Sequence, residues 1–177
     1  MGELPPELPR TRIAACTLLA WVAMIGVDFL VHAGVLARLY VEPQPFLLPP
    51  ETAFRLIPLG YASLVFFAAL LVWLAVRLGA RGAAAGARVG LVLGGLLWAA
   101  LTLGLASIAT ASYALLAGWL VGQTMQAAVG GAVIGAGLAA KRMGLVVSSV
   151  MALVVGCVVT VVVLQTMGLA PALRAGR

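Results

Sequence analysis

The chain has 177 residues, of which 64% are hydrophobic and only 9% charged, and its mean hydropathy is +1.17. A soluble globular domain carries roughly 25% charged residues, so this composition excludes one and leaves an integral membrane protein. The net charge of +6 would suggest nucleic acid in a soluble chain, but the basic residues here sit at the ends of apolar runs, and no nucleic-acid partner is expected.

Apolar stretches of about 20 residues, enough to cross a hydrocarbon core of about 30 Å, recur along nearly the whole sequence. They predict an all-α transmembrane bundle forming a single domain over residues 1–177, with five spans. The first runs from about Ile13 to Leu36. Arg10 and Arg12 precede it and "VLA" before Arg38 fits a signal-cleavage site, yet the run exceeds the roughly 7–15 apolar residues of a signal peptide and Asp28 interrupts it. An uncleaved first span is expected. The start "MGELPPEL" lacks the Ser or Thr of a myristoylation signal, so no lipid anchor is implied. The loop "VEPQPFLLPPE" holds four prolines and cannot be helical throughout, and a second span follows from Leu56 to Leu78. The uncharged run from Val89 to Ala140 is about twice what one span needs. It divides most simply into spans at about 89–110 and 114–140, with "TASY", Thr110 to Tyr113, as the turn. The fifth span covers about 144–167, and Pro171 ends it. In a four-span alternative one glycine-rich segment only re-enters the membrane.

Lys and Arg in short loops tend to stay in the cytoplasm. With the N-terminus inside, that side collects Arg10, Arg12, Arg77, Arg81, Arg88, Lys141 and Arg142, against Arg38, Arg55, Arg174 and Arg177 outside. The balance favours a cytoplasmic N-terminus in a bacterial inner membrane. Gly82, Gly86, Gly90 and Gly94, then Gly118 and Gly122, then Gly131 and Gly135, recur every four residues within each group. That spacing places each group on one helix face, where small residues let backbones approach in lipid. Packing within one bundle or between copies is the expected use.

Asp28 and His32 lie four apart on one face of the first span. A charged group at mid-bilayer costs about 2.5–3.5 kcal/mol, which argues for burial inside the bundle beside polar partners. At 1.5 Å per residue Asp28 lies about 22 Å above Ile13, in the outer half of the core. Tyr61 and Ser63, Ser107 and Thr110, Gln123 and Gln126, and Thr160, Gln165 and Thr166 fall at roughly the same depth on the other spans. The candidate polar layer is therefore Asp28, His32, Tyr61, Gln123, Gln126 and Thr160. It serves either as interhelical hydrogen bonding or as a cavity binding a proton, a cation or a small polar solute.

No metal site is expected, because the chain has a single histidine and its two cysteines, Cys16 and Cys157, lie far from it in depth. Both cysteines read as small buried hydrophobes. No nucleophile–base motif, phosphate loop or acidic cluster appears, so neither catalytic residues nor a cofactor is expected. Trp73 and Trp119 fit membrane-interface positions, and the deeper Trp98 fits packing beside Gly94 and Gly95.

The segments "DFLVHAGVLARLY" and "YALLAGWLVGQTMQAAVGGAVIGAGL" resemble parts of small bacterial multi-pass membrane proteins in a family of unknown function. That resemblance implies a four- or five-helix bundle with an acidic or His-containing first helix and a glycine-rich late helix, and no activity. The expectation is a non-enzymatic membrane protein, an accessory or scaffold subunit or a homo-oligomer, whose partners are the lipid bilayer and other membrane subunits or itself. The alternative is a small carrier or channel built on the polar layer.

Overall fold

The computed structural model describes residues 9–41 and 46–171. Residues 42–45 of the proline-rich loop and the tail with Arg174 and Arg177 lie outside the described residues. The chain is all-helical, with no strand among the described residues. Helix α1 spans Arg10–Leu30 and runs into a π-helical turn, Val31–Val35, followed by the short α2, Ala37–Val41. Four long helices follow: α3 (Pro50–Arg77), α4 (Ala83–Ile108), α5 (Tyr113–Ala139) and α6 (Met143–Thr166).

Local chemistry explains the ends. Helix α3 starts two turns before the expected Leu56, because a proline at the first helical position gives up only a hydrogen that has no intrahelical partner there. It stops in a Schellman turn, where Gly79 takes φ 63° and Ala80 N–H donates to Ala75 O at 2.8 Å. Gly168, φ 70°, ends α6 in the same way, with Leu169 N–H donating to Leu164 O at 2.8 Å. Residues 109–112 join α4 to α5, and Ser112 Oγ caps α5 by accepting from Leu115 N–H at 3.3 Å.

Four helices are long and apolar enough to cross a membrane: Arg10–Val35, Glu51–Arg77, Ala83–Ile108 and Met143–Thr166. This corrects the five-span expectation. The helix left out is α5, where Gln123, Gln126, Thr124 and six glycines dilute the apolar residues. Their dilution is tolerable because α5 is the inner helix, packed against α1, α3, α4 and α6. Its buried residues run from Leu115 to Leu138, whereas in α4 only Gly86, Gly90, Gly94 and Thr102 are buried. The outer faces of α3, α4 and α6 present large apolar side chains such as Phe66, Leu96, Leu103, Val155 and Val162.

Helix α5 meets its neighbours through glycine on two faces. A Cβ on Gly86 or Gly90 would fall on the backbone carbonyl oxygen of Gly131 or Ala127, and one on Gly135 would fall on that of Gly82. On the other side Gly118 lies under Leu36, Gly122 under Val31 and Gly130 under Met24, each leaving less than 3.0 Å for an added Cβ. Gly122 and Gly131 are nine residues apart, which at 100° per residue is half a revolution, so the two groups face opposite neighbours.

Two guanidiniums close the bundle ends. Arg12 donates from Nε to Gly137 O at 3.0 Å and from Nη2 to Ala140 O, capping the C-terminal end of α5. Arg38 donates to Leu169 O at 3.1 Å and Gly168 O at 3.2 Å, just past the end of α6. A cation at a helix C-terminus also opposes the negative end of the helix dipole. These contacts place the start of α1 beside the α5–α6 turn, and its far end beside the end of α6. Arg10, Arg12, Arg77, Arg81, Arg88, Lys141 and Arg142 thereby collect at one end of the bundle, while Arg38 and Arg55 lie at the other.

A candidate polar site around Asp28 and His32

The π-helical turn sets the site. Leu36 N–H donates to Val31 O at 2.8 Å, five residues back, which inserts one residue into the helical repeat. Leu36 then breaks the helix with φ −94° and ψ 0°. In a continuous α-helix residues 32 and 40 would be about 12 Å apart along the axis. With the turn and the break, the Tyr40 hydroxyl instead comes within 2.9 Å of His32 Nδ1. Gln165 Nε2 donates to Ala33 O at 3.4 Å, so α6 supplies a partner for a carbonyl inside the turn.

On the opposite side, the glycine face of α5 lets α1 approach closely enough for short polar contacts. Gln123 Nε2 donates to Asp28 Oδ1 at 3.2 Å and lies 2.9 Å from His32 Nε2. Gln126 Nε2 donates to Met24 O at 3.0 Å and to Asp28 Oδ1 at 3.3 Å. His32 Nε2 is itself 3.4 Å from Asp28 Oδ1. Trp119 Nε1–H donates to the Tyr40 hydroxyl at 2.5 Å, extending the network to six side chains: Asp28, His32, Tyr40, Trp119, Gln123 and Gln126. Gln126 is fully buried, and its Oε1 has no hydrogen-bond partner among the described residues. The Asp28 and His32 side chains keep 18% and 29% exposure.

Tyr40 lies beyond the end of the membrane-spanning segment Arg10–Val35. Burial pushes its phenol up to about 12; the Trp119 hydrogen bond pulls the other way and the Asp28 charge adds to the rise. The hydroxyl therefore stays protonated near neutral pH and can either donate or accept.

Asp28, His32, Gln123 and Gln126 are thus brought together, and two expected members are not. Thr160 is exposed, and its hydroxyl donates to Gly156 O at 2.7 Å within its own helix. Depth matched, but rotation about α6 did not, and a threonine can satisfy itself on the preceding turn. Tyr61 is half-buried on α3, where its backbone carbonyl accepts from Trp21 Nε1–H at 2.7 Å. Its phenol makes no side-chain hydrogen bond among the described residues. Ser63, Ser107 and Thr166 also bond to carbonyls in their own helices.

Tyr40 and Trp119 are the members that sequence reasoning missed as site residues. Tyr40 sat past the predicted end of the first span, and Trp119 fitted an interface position. The signal available was the run "VHAGVLARLY" itself, where Gly34 and the polar residues after it weaken a straight helix.

Compared with protein-family models, curated proteins and solved structures, the chain finds no match. The resemblance to small bacterial membrane proteins therefore rests on its residues alone. A cavity of about 280 Å³, lined by Pro9, Thr11, Arg12, Ala15, Ala140, Lys141 and Met143, lies at the basic end of the bundle, away from Asp28. Cys16 and Cys157 are both buried and unpaired, Cys16 against Gly137.

Proposed function

We propose that this chain is a non-enzymatic, multi-pass protein of a bacterial inner membrane that acts as an accessory or scaffold subunit, either of a larger assembly or of a homo-oligomer. The observation that carries this reading is the directness of the polar contacts. Gln123 and Gln126 are spent on Asp28 and on the backbone of α1, so the polar groups serve to dock the inner helix. Each such interhelical bond contributes about 0.6–2 kcal/mol in a membrane. The glycine contacts of α4 and α5 are read in the same way, as the close-packing surface of the bundle. Four helices then turn apolar faces outward to lipid or to neighbouring subunits.

The basic end, with Arg10, Arg12, Arg77, Arg81, Arg88, Lys141 and Arg142, supports a cytoplasmic N-terminus. Crosslinking in native membranes tests the scaffold reading: a discrete oligomer or a reproducible partner is expected, and monomer alone without a partner would remove it.

A second reading, a small carrier or channel, is favoured by the residual exposure of Asp28 and His32. Ionisable side chains within membrane helices usually mark ion or proton pathways. Reconstituted vesicles with no pH- or solute-dependent flux, in which Asp28→Asn matches the parent protein, would eliminate transport.

A further inference from the structure

We propose that Asp28, Gln123, His32 and Tyr40 form a site that binds one proton, with the Gln123 amide coupling protonation of Asp28 to the tautomer of His32. This deepens the second reading above by naming the ligand. It rests on the geometry of the cluster and does not require flux.

One end of the Gln123 amide faces Asp28 Oδ1 at 3.2 Å and His32 Nε2 at 2.9 Å together. That end is either nitrogen, which only donates, or oxygen, which only accepts. With nitrogen inward, both neighbours must be bare: Asp28 is a carboxylate, and neutral His32 carries its hydrogen on Nδ1, donated to Tyr40 Oη. With oxygen inward, both neighbours must carry hydrogen: Asp28 is a carboxylic acid, and His32 is the Nε2–H tautomer. Nδ1 then accepts from the Tyr40 hydroxyl. Asp28 Oδ1 and His32 Nε2 each gain a hydrogen while Nδ1 gives one up. Net uptake is one proton, and the site passes from a charge of −1 to neutral.

One observation favours this uptake. In the carboxylate form the lone pairs of His32 Nε2 and Asp28 Oδ1 face each other at 3.4 Å, and hydrogen relieves that contact. The other elements packed around the site bring few charges. Helix α3 contributes the Tyr61 phenol, while α5 contributes only neutral Gln123, Gln126 and Trp119. From α6 comes Gln165, turned to Ala33 O, and Arg38 of α2 is held by Leu169 and Gly168. No fixed cation among the described side chains lies in the network to hold Asp28 ionised.

The sequence makes the test selective, since Asp28 is the only aspartate and His32 the only histidine. The full chain is labelled with ¹³C-aspartate and ¹⁵N-histidine, reconstituted in phosphatidylcholine–phosphatidylglycerol vesicles and titrated by solid-state NMR. As pH falls, the Asp28 carboxylate signal should give way to carboxylic acid. The Nδ1–H pattern of His32 should be replaced by Nε2–H at the same midpoint. Gln123→Met, close to isosteric, should separate the two midpoints. The proposal is overturned if Asp28 protonates while the tautomer stays fixed, if His32 becomes imidazolium beside an ionised Asp28, or if neither group titrates. Absence of flux in the same vesicles would sink the transport reading and leave a coupled titration standing.

Discussion

Replacing Gly86 by alanine should separate α4 from α5, and replacing Gly104 on the same helix should not. A Cβ on Gly86 would fall on Gly131 O and lie 2.8 Å from Gly135 N, whereas ordinary contact begins near 3.4 Å. Both obstacles are backbone, so no side-chain rotation relieves them and the helices must part by several tenths of an ångström or more. That separation loosens the Gly90–Ala127 approach one turn away and strains the Gly82 N–H to Gly135 O hydrogen bond of 2.8 Å. Overpacking of this kind costs about 1–3 kcal/mol, occasionally more. At Gly104 an added Cβ meets nothing within 4 Å, so the same methyl projects from the helix without a clash. The assay is reversible unfolding in mixed micelles, followed by circular dichroism and tryptophan fluorescence. Gly86→Ala should lower stability by about 1–3 kcal/mol relative to Gly104→Ala. Equal stability of the two variants would refute the claim that α4 and α5 are held at backbone contact.

Gln126→Leu removes donated bonds to Met24 O and Asp28 Oδ1 and should lower stability by about 1–2 kcal/mol in the same assay, whereas Thr160→Val should change it little. Arg38→Ala uncaps α6 and should cost about 0.3–1 kcal/mol, read from the unfolding midpoint, with faster hydrogen exchange over the last turn of α6. The phenol of Tyr40 holds its proton more tightly in the folded chain, so the folded state binds more protons between pH 10 and about 12. This stabilisation is whole below pH 10 and is lost as pH rises through about 12, by up to about 3 kcal/mol; Tyr40→Phe should lack the late-titrating phenol in ultraviolet difference spectra. Single cysteines in a Cys-free background should label from one side at positions 81 and 141 and from the other at position 110; label reaching all three from one side would break the arrangement of the bundle ends.

Much of the helical organisation was legible because apolar length and turn chemistry are local. A run without charge or proline becomes helix, and Gly79, Ser112 and Gly168 end or start helices through their own bonds. Which helices are apolar enough to cross a membrane was less legible, since that depends on which helix the others enclose. In α5 the glycines and glutamines read as one more span of ordinary make-up, yet they mark the helix with neighbours on every side. Half of its glycine pattern faces α4 and half faces α1, which spacing within each group could not reveal, although the nine-residue interval between the groups contains it.

The site was legible to the extent that it follows a regular helix. Asp28 and His32 share a face because four residues return nearly to the same side, and the glutamines two to three turns into α5 reach them at matching depth. Depth alone failed at Thr160, where rotation decided the outcome. It also failed at Tyr40, because one residue inserted by the π-helical turn shifts every later side chain by about 100° and shortens the path back to His32. That same irregularity connects the network to the bundle end. Without it, Tyr40 would be turned away from His32 Nδ1 by about 100°. A substitution that restores α-helix through Val31–Val35, such as deletion of one residue there, should therefore detach Tyr40 from His32 while leaving the Gln126–Asp28 contact intact. Loss of the Tyr40–His32 coupling in NMR with the Gln126 amide signal unmoved is the expected result, and simultaneous loss of both would show that the turn supports the whole cluster instead.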